Sequence, residues 1–386
     1  MADRVAIIGI GFTAAQPATP TRSYRELTFE AAQKAYADAK IRFDQIGSFV
    51  TCAEDLNEGI SIFDEYTPDQ LGAVQKPMHT VTQDGLHGIA DAVMQIRSGI
   101  VDVVAVEAHS KASNVLTPDW VLDYALDPIY TRPLEFNPHA LAALEMNIFL
   151  NRSRIDAVSC AHVVTKNRGN ALANPIAAYP LAMTRENVTA SPYFSRPLRE
   201  AEMAEHADGA VVAVLANEGV AAKNGGNPVW IRGFGFANDS ATVESRDWES
   251  ALYTRTAAKN AYRQADIAGP QAIDFFEVDD TYAYKELQHL VALGLYSDGA
   301  AAARALESGE TQKSGKTPVN VSGGALGLGY TFEAAGLYRA VELVLQLRGE
   351  AGPRQLSRAR TGLAQSWRGV PTTSGAVVIL SSDKPE

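Results

Sequence analysis

The chain repeats itself, and that constrains its fold more than any other feature. Ala31-Ala32-Gln33-Lys34-Ala35-Tyr36-Ala37-Asp38-Ala39-Lys40-Ile41 lies against Ala257-Ala258-Lys259-Asn260-Ala261-Tyr262-Arg263-Gln264-Ala265-Asp266-Ile267. Positions 31, 32, 35, 36, 39 and 41 are identical to their partners. Alanine-rich amphipathic helices coincide easily, but here the match continues outward. The runs that precede the two helices, VAIIGIGF from Val5 and VWIRGFGF from Val229, both read as buried strands. Ile46 and Phe49 fall near Ile273 and Phe276, each opening a further strand. A self-similar chain of this kind folds as two related halves.

The order of elements gives the class. A strand over Arg4–Ile10 leads to a helix over 26–40, with Ser23 as its cap. A short strand at Phe49–Thr51, a helix over 86–98 stopped by Gly99, and a strand over Val101–Val106 follow. Strand, helix, strand, helix, strand is α/β grammar. Residues 112–200 break it. They are rich in Pro, Asn and Tyr, carry helical pieces near 137–150 and 155–174, and read as an inserted loop domain. Strand character returns over 208–216, and Lys223-Asn224-Gly225-Gly226-Asn227-Pro228 is a linker. The expected division is 1–111 and 201–223 for the first half, 112–200 for the insertion, 224–228 for the linker and 229–386 for the second half.

Charge and composition exclude several classes. Lys and Arg number 34 against 45 Asp and Glu, a formal net charge of −11, which disfavours binding to a phosphate backbone. No run of ~20 apolar residues exists, so no spanning helix is expected. The only cysteines, Cys52 and Cys160, stand in neither metal nor redox spacing. With no signal peptide legible at Met1-Ala2-Asp3-Arg4, they point to a reducing cytoplasm. Cys52 ends a strand and Cys160 sits in a helix, so both read as packed thiols.

One stretch is family-specific. Asn320-Val321-Ser322-Gly323-Gly324-Ala325-Leu326-Gly327-Leu328-Gly329-Tyr330 is followed by Ala334-Ala335-Gly336-Leu337. Lys166-Asn167, Asn174-Pro175, Arg196-Pro197-Leu198, Asp208-Gly209-Ala210 and the segment Gly362–Leu380 support it. On these residues the chain resembles the thiolase superfamily, in particular the sterol-carrier-protein-type thiolases and their archaeal relatives. The resemblance covers nearly the whole chain. It implies a duplicated fold of two βαβαβ halves stacked as a five-layer α-β-α-β-α sandwich. It does not by itself imply the reaction.

The resemblance also shows what is missing. Thiolases place a cysteine nucleophile at a helix start, where the dipole favours thiolate. Here the family's Cys-Ala-Ser-Gly turn reads Gly85-Leu86-His87-Gly88. The Gly-His-Pro turn reads Gly329-Tyr330-Thr331, so tyrosine stands where the activating histidine is expected, with Glu333 close after it. The His-Asp-Cys-Phe motif reads Asp279-Asp280-Thr281-Tyr282, and the region of the second cysteine reads Gln365-Ser366-Trp367-Arg368-Gly369. An acyl-cysteine route is therefore not expected.

The replacements remain polar. Asp84, His87, Asp279, Asp280, Tyr282, Tyr330 and Glu333 come from three distant segments that the thiolase template brings to one cleft. Tyr330, Asp279, His87, Asp280 and Glu333 are the catalytic candidates. Individually, Asp84 reads equally as a helix cap, Glu333 as the cap of the next helix, and Tyr282 as core. Gly85 is expected to leave room where a cysteine stood, and the helix start at 85–88 to offer backbone N–H groups to a thioester oxyanion. The resemblance makes Gly88, Ser322, Gly323 and Gly324 the candidates for contact with coenzyme A.

Some thiolase-fold proteins without the cysteine are aldolases. The resemblance thus implies C–C cleavage or formation on an acyl-CoA thioester, with Asp279 as base if burial raises its pKa and Tyr330 as acid. Lowering the Tyr330 pKa calls for a nearby cation, and Arg368 is the sequence candidate. Two other readings stand beside this one: an acyltransferase-like subunit that needs a partner, and a non-catalytic acyl-CoA or lipid carrier. The family further implies a homodimer and a zinc-ribbon/OB-fold partner protein. No metal or redox cofactor is expected in this chain.

Overall fold

The computed structural model describes residues 4–54, 62–116, 123, 126–135, 137–224, 226–240, 242–369 and 373–385. Gly225 of the expected linker and parts of the expected insertion lie outside the described residues. The first half runs β1 (Val5–Phe12), α1 (Tyr24–Ala39), β2 (Ser48–Cys52), β3 (Met78–Val81), α2 (Gly85–Arg97) and β4 (Val103–Ser110). Helices α3 (Pro138–Ser153) and α4 (Val158–Ala171) precede its last strand, β5 (Gly209–Asn217). The second half runs β6 (Val229–Asn238), α5 (Leu252–Ala265), β7 (Phe275–Glu277) and α6 (Ala283–Ala292). It continues with α7 (Gly324–Leu328), α8 (Ala335–Arg348), β8 (Thr361–Arg368) and β9 (Ser374–Ser381).

Strand pairing repeats between the halves. The sheet order is β3-β2-β4-β5-β1-β6-β9-β8-β7. Outward from the centre, β1/β5 and β6/β9 are antiparallel, and so are β5/β4 and β9/β8. Next, β4/β2 and β8/β7 are parallel. The parallel pair β2/β3 has its counterpart in a single parallel bridge, Phe276 with Val319. Within the sheet, among the described residues, the two halves pair at Ala6 with Trp230 and Ile7 with Val229. Strand β3 is absent from the sequence expectations, because its four residues are polar or half-buried and carry no apolar run.

The helix repeat has a physical cause. Gly9 and Gly11 lie under α1 so closely that a Cβ on them would stand 2.5 Å from the Ala35 carbonyl oxygen and 2.0 Å from that of Ala31. Gly233 and Gly235 lie the same way under Ala261 and Ala257, at 2.2 and 2.1 Å. Glycine on the strand and alanine on the helix let backbone approach backbone. Tyr36 and Tyr262 each donate to a leucine carbonyl, Leu71 at 2.7 Å and Leu293 at 2.9 Å. Lys40 and Asp266 both end their helices in left-handed geometry, each with φ 52°. Thr28 donates to Glu107 on β4, and the matching Thr254 accepts from Gln365 on β8, both at 3.0 Å. At the start of α1, Ser23 and Glu26 form the reciprocal capping box.

Four apolar clusters separate the layers. One lies between α1 and the first half's strands, and one between α5 and the second half's. The central cluster combines both halves' strands with α2 and α8. The fourth joins α3 and α4 to Tyr282, Tyr284, Leu287 and Trp367. The middle segment therefore shares its core with the second half and floors the region after β7.

Gly11→Ala forces a methyl into helix backbone, and overpacking of this kind costs about 1–3 kcal/mol. Urea unfolding is expected to show that loss. Gly169→Ala, inside α4 with nothing within 4 Å of its added Cβ, should instead gain about 0.5–1 kcal/mol.

Candidate active site

The start of α2 sits at the middle of the molecule, facing the start of α8. Asp84 caps α2: its Oδ1 accepts from Leu86 N at 2.9 Å, and its main-chain oxygen accepts from His87 N at 2.8 Å. Its Oδ2 accepts from Gly336 N, at the start of α8, at 2.8 Å. A buried carboxylate thus already occupies the positive end of both helices. Burial pushes its pKa up, and Arg339 opposes that. This corrects one expectation, since the Leu86 and His87 amides are engaged rather than open to a thioester oxyanion. The room expected at Gly85 is also filled. A Cβ there would lie 2.4 Å from Leu337 Cγ.

Asp279 follows β7 and is fully buried. Its Oδ2 pairs with Arg339 Nη2 at 2.6 Å, and its Oδ1 accepts from Thr281 N at 3.0 Å. Gln365 holds its own N–H at 2.9 Å. Its carboxylate is thus committed to Arg339 and Thr281, which removes the case for it as the base. Asp280 points the other way. It accepts from Asn167 Nδ2 at 2.7 Å and from Ala325 N, in α7, at 2.5 Å. Burial, with Glu286 and Asp279 nearby, pushes its pKa up to about 7.

Tyr330 precedes α8. Burial first, then the carboxylates of Glu333 and Asp279, hold its phenol well above its ordinary value, with Tyr282 and Asp84 also within electrostatic reach. The three expected segments do converge. Rings of His206 and Phe332 flank Tyr330 at 5.4 and 5.6 Å. One extended segment holds both site tyrosines: Met203 bridges to Tyr282 and His206 to Tyr330. Three residues of strand separate those bridges by about 10 Å. Arg368 is paired with Glu333 and Glu54. It is therefore a bound cation and does not lower the Tyr330 pKa as the sequence suggested.

The remaining candidates are placed differently. His87 is nine-tenths buried, neither ring nitrogen has a hydrogen-bond partner among the described residues, and its ring faces Phe236 at 5.7 Å. Burial pushes its pKa down to about 4, so the imidazole is neutral. Gly88 serves packing: a Cβ there would meet Cys52 Sγ at 2.3 Å and Val106 at 2.8 Å. Gly323 backs onto Ala171, and Gly324 onto the Asp280 carboxylate. Ser322 donates to Glu277 at 2.5 Å. Ser322 and Gly324 line a small pocket beside Arg339. Cys52 and Cys160 are buried free thiols, and burial raises both pKa values, as packed cysteines require.

Three residues escaped the sequence reading: Arg339, His206 and His139. Arg339 is four residues past Ala335 and three past Gly336, so helical spacing puts it on the face of α8 that they share. That signal was readable. His206 and His139 had none, because each meets its tyrosine only through tertiary contact.

The comparisons concern the fold and the family likeness. Residues 235–382 match the model described as thiolase C-terminal domain-like. The acetyl-CoA acetyltransferase of Methanothermobacter thermautotrophicus is 28% identical over 93% of this chain and 94% of its own length. The sterol carrier protein 2 of Bos taurus is 26% identical over 94% of this chain and 69% of its own. Among solved structures, the Ltp2-ChsH2(DUF35) aldolase superposes with a TM-score of 0.84 at 21% identity, covering 99% of this chain and 98% of that one. The monomeric SCP2-thiolase like protein type 1 of Mycobacterium smegmatis gives 0.73 at 16% identity, covering 99% and 77%. Duplicated sheet, paired central helices and these relatives bear out the resemblance to the thiolase superfamily, and the whole chain has the thiolase fold. Its similar chains include both an archaeal acetyl-CoA acetyltransferase and sterol carrier protein 2.

Asp280 gives a pH test. A carboxyl whose folded pKa is raised binds its proton more tightly in the native state. Its contribution is complete below about 4 and is lost as pH rises through about 7. Urea unfolding between pH 4 and 8 should show that Asp280→Asn loses less stability across this window than the parent. Glu277, pushed up to about 8 by burial and Glu342, acts with the same sign in both proteins.

Proposed function

We propose that this chain makes or breaks the Cα–Cβ bond of a β-hydroxyacyl-CoA by aldol chemistry, without an acyl-enzyme. One observation supports the reading: Leu337 packs on Gly85, where the resemblance puts the nucleophile, while Tyr330 keeps Glu333, Asp279 and Asp84 within electrostatic reach. In the cleavage direction a base takes the β-hydroxyl proton. The Cα–Cβ electron pair then passes into a thioester enolate, and a carbonyl fragment leaves. Tyr330, kept protonated, gives its proton to Cα. The neutral His87 ring supplies an N–H to the enolate oxygen in place of backbone amides. Asp279 holds Arg339, whose Nε and Nη1 have no hydrogen-bond partner among the described residues and face the same region. Glu333 anchors Arg368 at the rim.

A partner belongs to the same reading. The aldolase neighbour's name joins Ltp2 to ChsH2(DUF35), and a zinc-ribbon/OB-fold polypeptide delivering the acyl-CoA to a homodimer of this chain is the corresponding arrangement. The second reading, a non-catalytic acyl-CoA carrier, is favoured by the same packing of Leu337 on Gly85. Binding of acyl-CoA with no shorter acyl-CoA or carbonyl fragment released, even with partner added, selects it.

Mass-spectrometric assay of β-hydroxyacyl-CoA cleavage is the direct test. Tyr330→Phe should lower kcat by roughly ten- to ten-thousand-fold. Unchanged kcat removes Tyr330 from the mechanism. Gly85→Cys should not acquire thiolysis with free CoA, since the new side chain meets Leu337 and the activating histidine is absent. Thiolysis by that single variant would show that the nucleophile position has been misassigned.

A further inference from the structure

The proposed lyase step needs a base, and two obvious groups are poor ones. Tyr330 is held protonated by burial and by Glu333 and Asp279. Asp279 is bound to Arg339 and Thr281. The other phenol at the site, Tyr282, differs from Tyr330 in having a nitrogen partner. Its Oη lies 2.8 Å from Nδ1 of His139. The two rings stand at 75° with centroids 5.8 Å apart, so a ring nitrogen meets the hydroxyl end-on.

The surroundings fix that meeting. His139 is held at the start of α3, where Asn137 Oδ1 accepts its N–H at 2.8 Å. Phe194 packs edge-on against its ring at 5.1 Å. Tyr282 is 6% exposed, wedged between Tyr284 at 6.1 Å and Trp367 at 5.9 Å. Behind Trp367 lies the Lys285 ammonium, 4.2 Å from the indole centroid and paired with Glu145 at 2.6 Å, so it adds no net charge. The segment that bridges Tyr282 at Met203 bridges Tyr330 at His206, which sets the two phenols on one support.

We propose that Tyr282 is the catalytic base of this site and that His139 is its positioning residue and proton acceptor. The inference rests on the lyase reading above and assigns the residues it leaves open. His139 carries its proton on Nε2, and Nδ1 accepts the Tyr282 hydroxyl hydrogen. As the β-hydroxyl proton passes to Tyr282 Oη, the Tyr282 proton passes to His139 Nδ1. The Cα–Cβ bond breaks, its electron pair forms the enolate, and the carbonyl fragment departs. Tyr330 then protonates Cα, becoming tyrosinate. His139, half-exposed, returns its proton through solvent to Tyr330. No net proton, oxidant or reductant is consumed.

Two measurements on the full chain separate this proposal from the reading it rests on. In ¹⁵N-histidine-labelled protein, the His139 ring should show an acceptor-type Nδ1 and a protonated Nε2, and Tyr282→Phe should shift the Nδ1 resonance. A protonated Nδ1 in the parent overturns the pair whatever the activity. In the cleavage assay, His139→Ala should lower kcat by at least tenfold with KM little changed, and added imidazole should restore part of it. His139→Ala with unchanged kcat, or a loss that imidazole leaves untouched while cleavage by the parent persists, also overturns it. Cleavage of no β-hydroxyacyl-CoA by the parent, with partner added, removes the lyase reading and this assignment with it, even where the NMR tautomer is the one expected.

Discussion

One carboxylate ties the two halves together at the point where chemistry is expected. Asp84 caps α2 and reaches across to the Gly336 amide in the first turn of α8. The two helices are counterparts in the repeat, and both direct their positive ends at it. A bound anion normally gains from such a place. Here the anion is part of the protein, and two glycines make the arrangement possible. Gly336 lets the carboxylate approach, since a Cβ there would lie 1.9 Å from Asp84 Oδ1, and Gly85 makes room for Leu337. The space between the starts of the two helices is therefore filled by an internal acid and an apolar side chain.

Polar chemistry is displaced toward the rim of that centre. Tyr330, Asp279 and Arg339 form one group, and His87, whose ring nitrogens have no hydrogen-bond partner among the described residues, stands apart against Phe236. The electrostatics are uneven. Carboxylates outnumber free cations around Tyr330, so its proton stays on, whereas Tyr282 faces an imidazole. Two phenols in unlike environments are what a reaction with separate proton acceptance and donation requires.

Much of the frame was legible in the sequence because it rests on local pattern. The repeat at Ala31 and Ala257, the Ser23 cap and the strand pair ending the chain all appear where expected. Strand β3 was not legible, being short and half-polar at a sheet edge. The site was legible as a set of segments, since Asp279, Tyr330 and Asp84 converge. Their partners were not. That Asp279 meets Arg339, that Leu337 covers Gly85 and that His139 reaches Tyr282 depend on side chains from elements far apart in sequence. At the glycines 88, 323 and 324 the structure shows a close approach to a neighbour, which in sequence reads like a ligand cradle.

The glycine–alanine locks under α1 and α5 carry a consequence for how such a chain can change over generations. Each half secures its outer helix by backbone contacts at Gly9 and Gly11, or Gly233 and Gly235, none of which involves a residue of the central layer. Substitution at the starts of α2 and α8 therefore leaves the attachment of either outer helix unchanged, so the outer frame and the interior answer to separate residues.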